Sequence, residues 1–148
     1  MTYSIADLTR TVRTKVEPCD CPEHADDPCW VWTGACDSSG YAAVKMRGTL
    51  VQVHRYTHER MVGPIEIPCD TCRGRFGGES GYVYTATMES IPCSRCAGTG
   101  LDPDPTVDHL CTSHRNCINP AHFEIVSRSE NSRRANHRRW VDGYRRDT

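Results

Sequence analysis

A small α+β fold, stapled by zinc and carrying an inserted zinc module, is what this 148-residue sequence predicts. Three observations point there. Short strand-like runs bounded by turn residues are interspersed with helical stretches that have recognisable starts and stops. Apolar residues make up only 37% of the chain and just two are Phe, so the core is thin and needs other staples. Ten cysteines and seven histidines are present to supply them.

In chain order, residues 1–16 read as a short amphipathic helix and 17–29 (EPCDCPEHADDPC) as a loop rich in Pro, Cys and acids. CWVWTG is a short strand with Trp30 and Trp32 on one face, a core pair rather than a base-stacking platform. Ser38-Ser39-Gly40 is a turn, and the runs 41–46 and 50–53 flank Arg47-Gly48-Thr49 as a hairpin. His54 to Met61 is helical and Gly63-Pro64 ends it. Residues 69–100 form an insert, and Asp102-Pro103-Asp104-Pro105 is a stiff linker leading back from it. A strand from Val107, a cysteine-bearing loop and a second strand over 123–126 follow. Ser127 and Glu130 make a capping box, so a helix begins near Arg128 and runs to about Val141, with Gly143 as its stop. The expected organisation is an N-terminal segment 1–28, a main domain of 29–68 with 101–148, and the inserted module 69–100.

No apolar run is long enough for a transmembrane helix, so no membrane partner is expected. The N-terminal segment lacks the apolar core of a signal peptide, and the expectation is a cytoplasmic, non-secreted protein. In that setting CxxC pairs with interspersed histidines favour metal over disulfides. The net charge of −1 conceals an asymmetry: residues 1–37 carry three basic and seven acidic groups, whereas 128–146 carry seven Arg against two acids. Of 18 basic residues 16 are Arg, the side chain suited to bidentate phosphate contact.

Cys69, Cys72, Cys93 and Cys96 form CxxC–x20–CxxC, a strong zinc signal, with Gly following each pair to let backbone amides approach the sulfurs. Cys111, Cys117 and His122 offer a second ligand set, and Cys29 is the expected fourth member because it directly precedes the Trp strand. Cys19, Cys21, His24 and Cys36 are left over. Their CxCxxH spacing is less typical, and they form either a third zinc site or free thiols in an acidic loop. His114 is an alternative ligand, His54 either a hydrogen-bonded core histidine or a site residue, and His58 and His137 exposed helix residues.

Asp108 and His109 directly precede the second ligand set. On its own an Asp-His pair is usually surface decoration. Here it sits with Asn131, on the first turn of an Arg-rich helix. Imidazole titrates near neutrality and suits a general base, and Asp108 and Asn131 offer oxygens to a hard divalent ion. Adjacent strand residues point to opposite faces, so serving one phosphate requires a bend at Asp108-His109 or a metal at the strand edge.

The segments VDHLC, CINPAHFE and SRSENSRR, with CWVWTGACDSSGYAAVKMRG and VHRYTHERMVGPI upstream, resemble the HNH endonucleases common in phage genomes. The cysteine loop is similar to that of the His-Cys box homing endonucleases. The resemblance covers about 29–67 and 107–134. It implies a ββα-metal fold, phosphodiester hydrolysis with Mg²⁺ or Mn²⁺, and double-stranded DNA as partner, in the cytoplasm of a bacterial host if phage-encoded. A homodimer or a packaging machine are further partners it leaves open. It implies His109 as base, Asp108 and Asn131 as catalytic-metal ligands, and Cys111, Cys117 and His122 as structural zinc ligands; members without the zinc loop usually carry Asn at the position of His122. Lys45, Arg47, Arg133, Arg134, Arg138 and Arg139 are the expected DNA contacts. The chain departs from the family in the roughly 40 residues between GPI and VDH and in Cys19, Cys21 and Cys36. The insert alone resembles half of the zinc module of DnaJ-type chaperones. That likeness implies fold and not chaperone activity. The competing reading for the whole chain is a non-catalytic zinc module that binds nucleic acid or protein.

Overall fold

The computed structural model describes residues 3–20, 25–73, 81–111 and 114–146, with side chains of the last helix described to Arg138. Among the described residues it is a mixed α+β protein built of four two-stranded sheets, short helices and one long C-terminal helix. Ser4 caps a 3-10 turn over Ile5–Asp7, and one helical turn, α1 (Arg10–Arg13), follows. The helix expected over 1–16 is therefore broken, and the chain extends as β1 (Val16–Pro18) inside the expected loop. Thr9, Thr11, Val12, Thr14 and Val16 are β-branched and weak helix formers, and the Thr14 hydroxyl donates back to Arg10 O at 3.1 Å.

Strand β2 (Trp30–Trp32) pairs antiparallel with β1, Val16 opposite Trp32 and Pro18 opposite Trp30. Trp30 and Trp32 are buried and Val31 only half-buried, the alternation a strand imposes. Strands β3 (Ala43–Met46) and β4 (Thr49–Gln52) form a hairpin turned by Arg47 and Gly48, both at positive φ (48° and 87°). Two such residues in a two-residue loop match the twist of the flanking strands. Helix α2 (Val53–Met61) buries Val53, His54, Thr57 and His58 on one stripe, and Gly63 (φ 140°) follows its end. His58, expected on the surface, is buried and bonds through Nδ1 to Gly63 O at 3.2 Å. The main core comprises Leu8, Val12, Trp30, Trp32, Ala42, Val44, Val53 and Ile118.

The insert holds α3 (Asp70–Arg73) and the hairpin β5 (Tyr82–Tyr84) with β6 (Ser90–Pro92). Its base is closed by the Pro68–Leu101 bridge and by the Cys69 amide donating to Gly100 O at 2.8 Å. The linker at 102–105 is not a bare spacer. Asp102 is buried and accepts from Arg95 at 2.8 Å, and Asp104 pairs with Arg128. Burial opposes the Asp102 charge, but Arg95 outweighs it and holds the carboxyl below its ordinary value.

Strands β7 (Pro105–His109) and β8 (Phe123–Ser127) form the last two-stranded sheet, and α4 (Arg128–Arg146) follows β8 directly. Only half of the expected capping box is made. The Glu130 amide donates to Ser127 Oγ at 3.2 Å, but the Glu130 carboxylate turns to Arg133 and Arg134. Nor does Gly143 stop the helix, which continues to Arg146; an interior Gly costs about 1 kcal/mol relative to Ala, too little to end a helix by itself. The chain divides into two compact units, Met1–Ile65 with Val107–Glu124, and Glu66–Thr106 with Ile125–Thr148. No helix among the described residues is long and apolar enough to cross a membrane.

Candidate metal centres

Two clusters of buried donor atoms stand out, one in each unit. In the insert, Cys69, Cys72, Cys93 and Cys96 converge with all four sulfurs within 4.8 Å of one another. Cys69–Cys93 and Cys72–Cys96 are each 3.9 Å apart. Four thiolates at 2.3 Å from a tetrahedral zinc lie about 3.8 Å from each other, so the cage fits that ion. Gly98 and Gly100 serve it through their backbones. The Gly100 amide donates to Cys96 Sγ at 3.3 Å, as the Gly after the second CxxC predicts; the corresponding glycines after the first pair lie outside the described residues. Burial works against the Cys96 thiolate, yet the Gly100 and Gly98 amides prevail and bring that thiol down to about 7. Cys72 is pushed the other way, chiefly by burial, to about 11.

The second cluster gathers residues far apart in sequence. Cys29 Sγ lies 3.0 Å from Cys111 Sγ and 3.4 Å from His122 Nδ1, and Cys117 Sγ lies 3.5 Å from the same nitrogen. A sulfur–nitrogen edge of a tetrahedral zinc site is about 3.6 Å, which the two His122 distances match. The local backbone explains why Cys29 completes the set. Strand β2 docks on the cysteine loop: Val31 bridges Cys117, the Trp32 amide donates to Asn116 O at 3.1 Å, and the Ile118 amide donates to Trp30 O at 2.8 Å. The residue just before β2 is thereby delivered to Cys117. Burial, then the neighbouring Cys111 and Cys117, push the Cys29 thiol up strongly, and burial raises Cys117 too. Both clusters could hold zinc, the second through Cys29, Cys111 and His122, whose donor atoms all lie within 4.8 Å of one another, with Cys117 joined to them by its His122 contact. His114 is not in the cluster; its carbonyl receives the Cys117 amide at 3.0 Å. Of the third ligand set, Cys21 and His24 lie outside the described residues, Cys36 is exposed opposite Ala42, and the Cys19 amide donates to Cys29 O at 2.9 Å.

His109 ends β7 beside the second cluster. Its Nε2 is 3.0 Å from Cys117 O. A carbonyl only accepts, so Nε2 carries a proton. The ring is walled by Phe123, His54 and Tyr41 at centroid distances of 4.9, 5.0 and 5.6 Å. His54 is only 5% exposed and its Nδ1 has no hydrogen-bond partner. Burial, then His109 and Arg55, push it down to about 3 against the opposing pull of Asp37. It is a core histidine whose Nδ1 lacks the bond expected of one. Asp108 is buried at 3% exposure. Asn131 is half-buried on the first turn of α4 and belongs to the second unit, whereas Asp108 and His109 belong to the first.

The expected DNA contacts divide by environment. Lys45 and Arg47 are exposed on the β3–β4 hairpin. Arg133 and Arg134 both bind Glu130, at 2.7 Å each, and together hold its carboxyl at about 2. Arg138 is half-buried, and the Arg139 side chain lies outside the described residues. Sequence reasoning missed the outer partners of the second cluster, Asp27 and Asn119. Asp27 Oδ2 lies 3.3 Å from His122 Nε2, and Asn119 Nδ2 donates to Asp27 Oδ1 at 3.1 Å. No family model, curated protein or solved structure matches this chain.

Proposed function

We propose that the chain is a metal-dependent DNA endonuclease of the HNH type, with a zinc-braced ββα-metal core, that hydrolyses phosphodiester bonds. The observation that carries this reading is the His109 Nε2–Cys117 O contact of 3.0 Å. In the neutral ring this contact leaves the lone pair on Nδ1, where it can serve a general base, and it ties the ring to the backbone of Cys117, a candidate zinc ligand. His109 Nδ1 would take a proton from water as the oxygen attacks phosphorus in line, and the ring wall of Phe123, His54 and Tyr41 restrains its rotation. Asp108 and Asn131 carry the oxygen donors that a hard divalent ion takes. Such an ion, Mg²⁺ or Mn²⁺, supplies charge neutralisation at the phosphate and the departing 3′ oxygen. Lys45, Arg47 and the arginines of α4 would contact double-stranded DNA through its phosphates.

The test is plasmid cleavage with Mg²⁺ or Mn²⁺ by the full chain and by His109→Ala. Cleavage lost by at least a hundredfold in the variant, with 5′-phosphate and 3′-hydroxyl ends, is the expected result. Equal nicking by both proteins, or by neither at any metal concentration, sinks the proposal. Salt-sensitive DNA binding without cleavage, unchanged in His109→Ala, would favour a non-catalytic zinc module.

A further inference from the structure

The acidic loop ahead of β2 carries residues that no motif claims, and one of them, Asp27, reaches the Cys/His cluster. His122 faces the sulfurs of Cys29 and Cys117 with Nδ1, so its Nε2 points away from them. There it meets Asp27 Oδ2 at 3.3 Å. A carboxylate only accepts, so a hydrogen bond across this distance would require the proton on Nε2 and leave the Nδ1 lone pair toward the sulfurs.

Asp27 does not reach His122 by chance rotation of an exposed side chain. Its other oxygen accepts from Asn119 Nδ2 at 3.1 Å, and the same amide donates to Pro28 O at 3.0 Å. Asn119 is itself 2% exposed, and its Oδ1 caps the 3-10 turn by accepting from the Ala121 amide at 3.0 Å. One buried amide thus fixes both the loop bearing Asp27 and the turn bearing His122. The His122 carbonyl in turn accepts from the Leu110 amide at 2.9 Å, one residue beyond His109.

We propose that Asp27, held by Asn119, is a positioning residue of the Cys29–Cys111–Cys117–His122 zinc site: it fixes the tautomer and orientation of His122 and so slows metal loss. This rests on the reading of that cluster as a zinc site. Outer partners of metal-bound histidines typically change affinity 10- to 100-fold when removed. With 60% of its side chain exposed, Asp27 belongs at the low end of that range.

The experiment follows zinc transfer from the full-length protein to the chromogenic chelator 4-(2-pyridylazo)resorcinol at constant pH. Loss of one phase in Cys117→Ser assigns the release that belongs to this cluster. Asp27→Ala accelerates that phase about tenfold, Asp27→Asn, which keeps an accepting oxygen, less, and Asp26→Ala not at all. The phase assigned to the insert is unchanged throughout. Unaltered release from Asp27→Ala with the zinc present overturns the role of Asp27 alone. A zinc content that Cys117→Ser does not lower overturns the zinc reading and this role with it.

Discussion

The two clusters differ in how the chain assembles them. The insert cluster is local: two CxxC turns between Cys69 and Cys96 supply all four candidate ligands, and its sulfurs, with Val83 packed against them, form the buried cluster of that segment among the described residues. The second is long-range. Its ligands run from Cys29 to His122 and meet only because β2 docks on the 116–118 loop, against a separate core of eight buried residues. The electrostatics differ in the same sense. Backbone amides of Gly100 and Gly98 bring Cys96 down to about 7 in the insert, where burial raises only Cys72 clearly, whereas burial drives both Cys29 and Cys117 up and outweighs the Asn119 and Trp30 amides at Cys117. A local cage can be wrapped in its own amides. A cage closed across the chain lies against apolar core, and in both cages metal must displace protons from the raised thiols.

The largest effect should come from removing one ligand from each. Structural zinc contributes on the order of 10 kcal/mol in small metal-folded domains. Cys117→Ser should lose one zinc per chain, the near-ultraviolet circular dichroism of buried Trp30 and Trp32, and the proposed cleavage. Cys93→Ser should also lose one zinc yet keep that signal. Zinc content by elemental analysis beside the spectra decides it. Loss of the tryptophan signal in both variants would mean that the two clusters are not separately assembled.

A gentler probe uses one glycine beside each. A Cβ on Gly81 (φ 102°) would sit 2.2 Å from Gly98 O, a backbone atom next to the Cys96 turn. A Cβ on Gly34 would sit 2.6 Å from the Trp32 ring. Gly81→Ala should destabilise the insert by about 2–3 kcal/mol, combining strain at positive φ with the clash. Gly34→Ala should cost the Trp32 core about 1–3 kcal/mol through overpacking. Hydrogen exchange resolved by segment reads each loss separately, and exchange that rises in both segments in either variant would break the distinction.

The same contrast explains what was legible in the sequence. CxxC–x20–CxxC needs no tertiary information, and the hairpin over β3–β4 is written in Arg47-Gly48. Cys29 was reachable because it abuts the tryptophan strand. Asp27 and Asn119 were not, since their partnership joins loops 92 positions apart and leaves no periodic trace. The burial of His58 escaped for another reason: the buried stripe of α2 is Val53, His54, Thr57 and His58, mostly polar residues that a binary pattern assigns to solvent. Gly143 and Glu130 misled because a stop or cap residue states only a local preference, and α4 continues through one while the carboxylate of the other pairs with Arg133 and Arg134.

The smallest predicted effect separates the two regions by acid. Residues 66–106 contain no histidine, whereas the first unit buries His54 at the N-terminal turn of α2 with its pKa brought from 6.5 to about 3. The folded state binds fewer protons than the unfolded one between those values. The contribution is therefore intact above about pH 6.5 and is lost progressively as pH falls toward 3. Between pH 7 and 5.5 that loss amounts to about 1 kcal/mol, roughly one pKa unit at 1.36 kcal/mol. Urea unfolding of the first unit, followed by tryptophan fluorescence, should show that decrement. In His54→Phe, which keeps a ring against His109 and removes the titrating group, the decrement should shrink by about 1 kcal/mol. Thiolate protonation acts on both clusters and survives the substitution, so the difference between the two proteins isolates His54. An equal decrement in both would place the acid sensitivity in the cysteines, and the two regions would then share it.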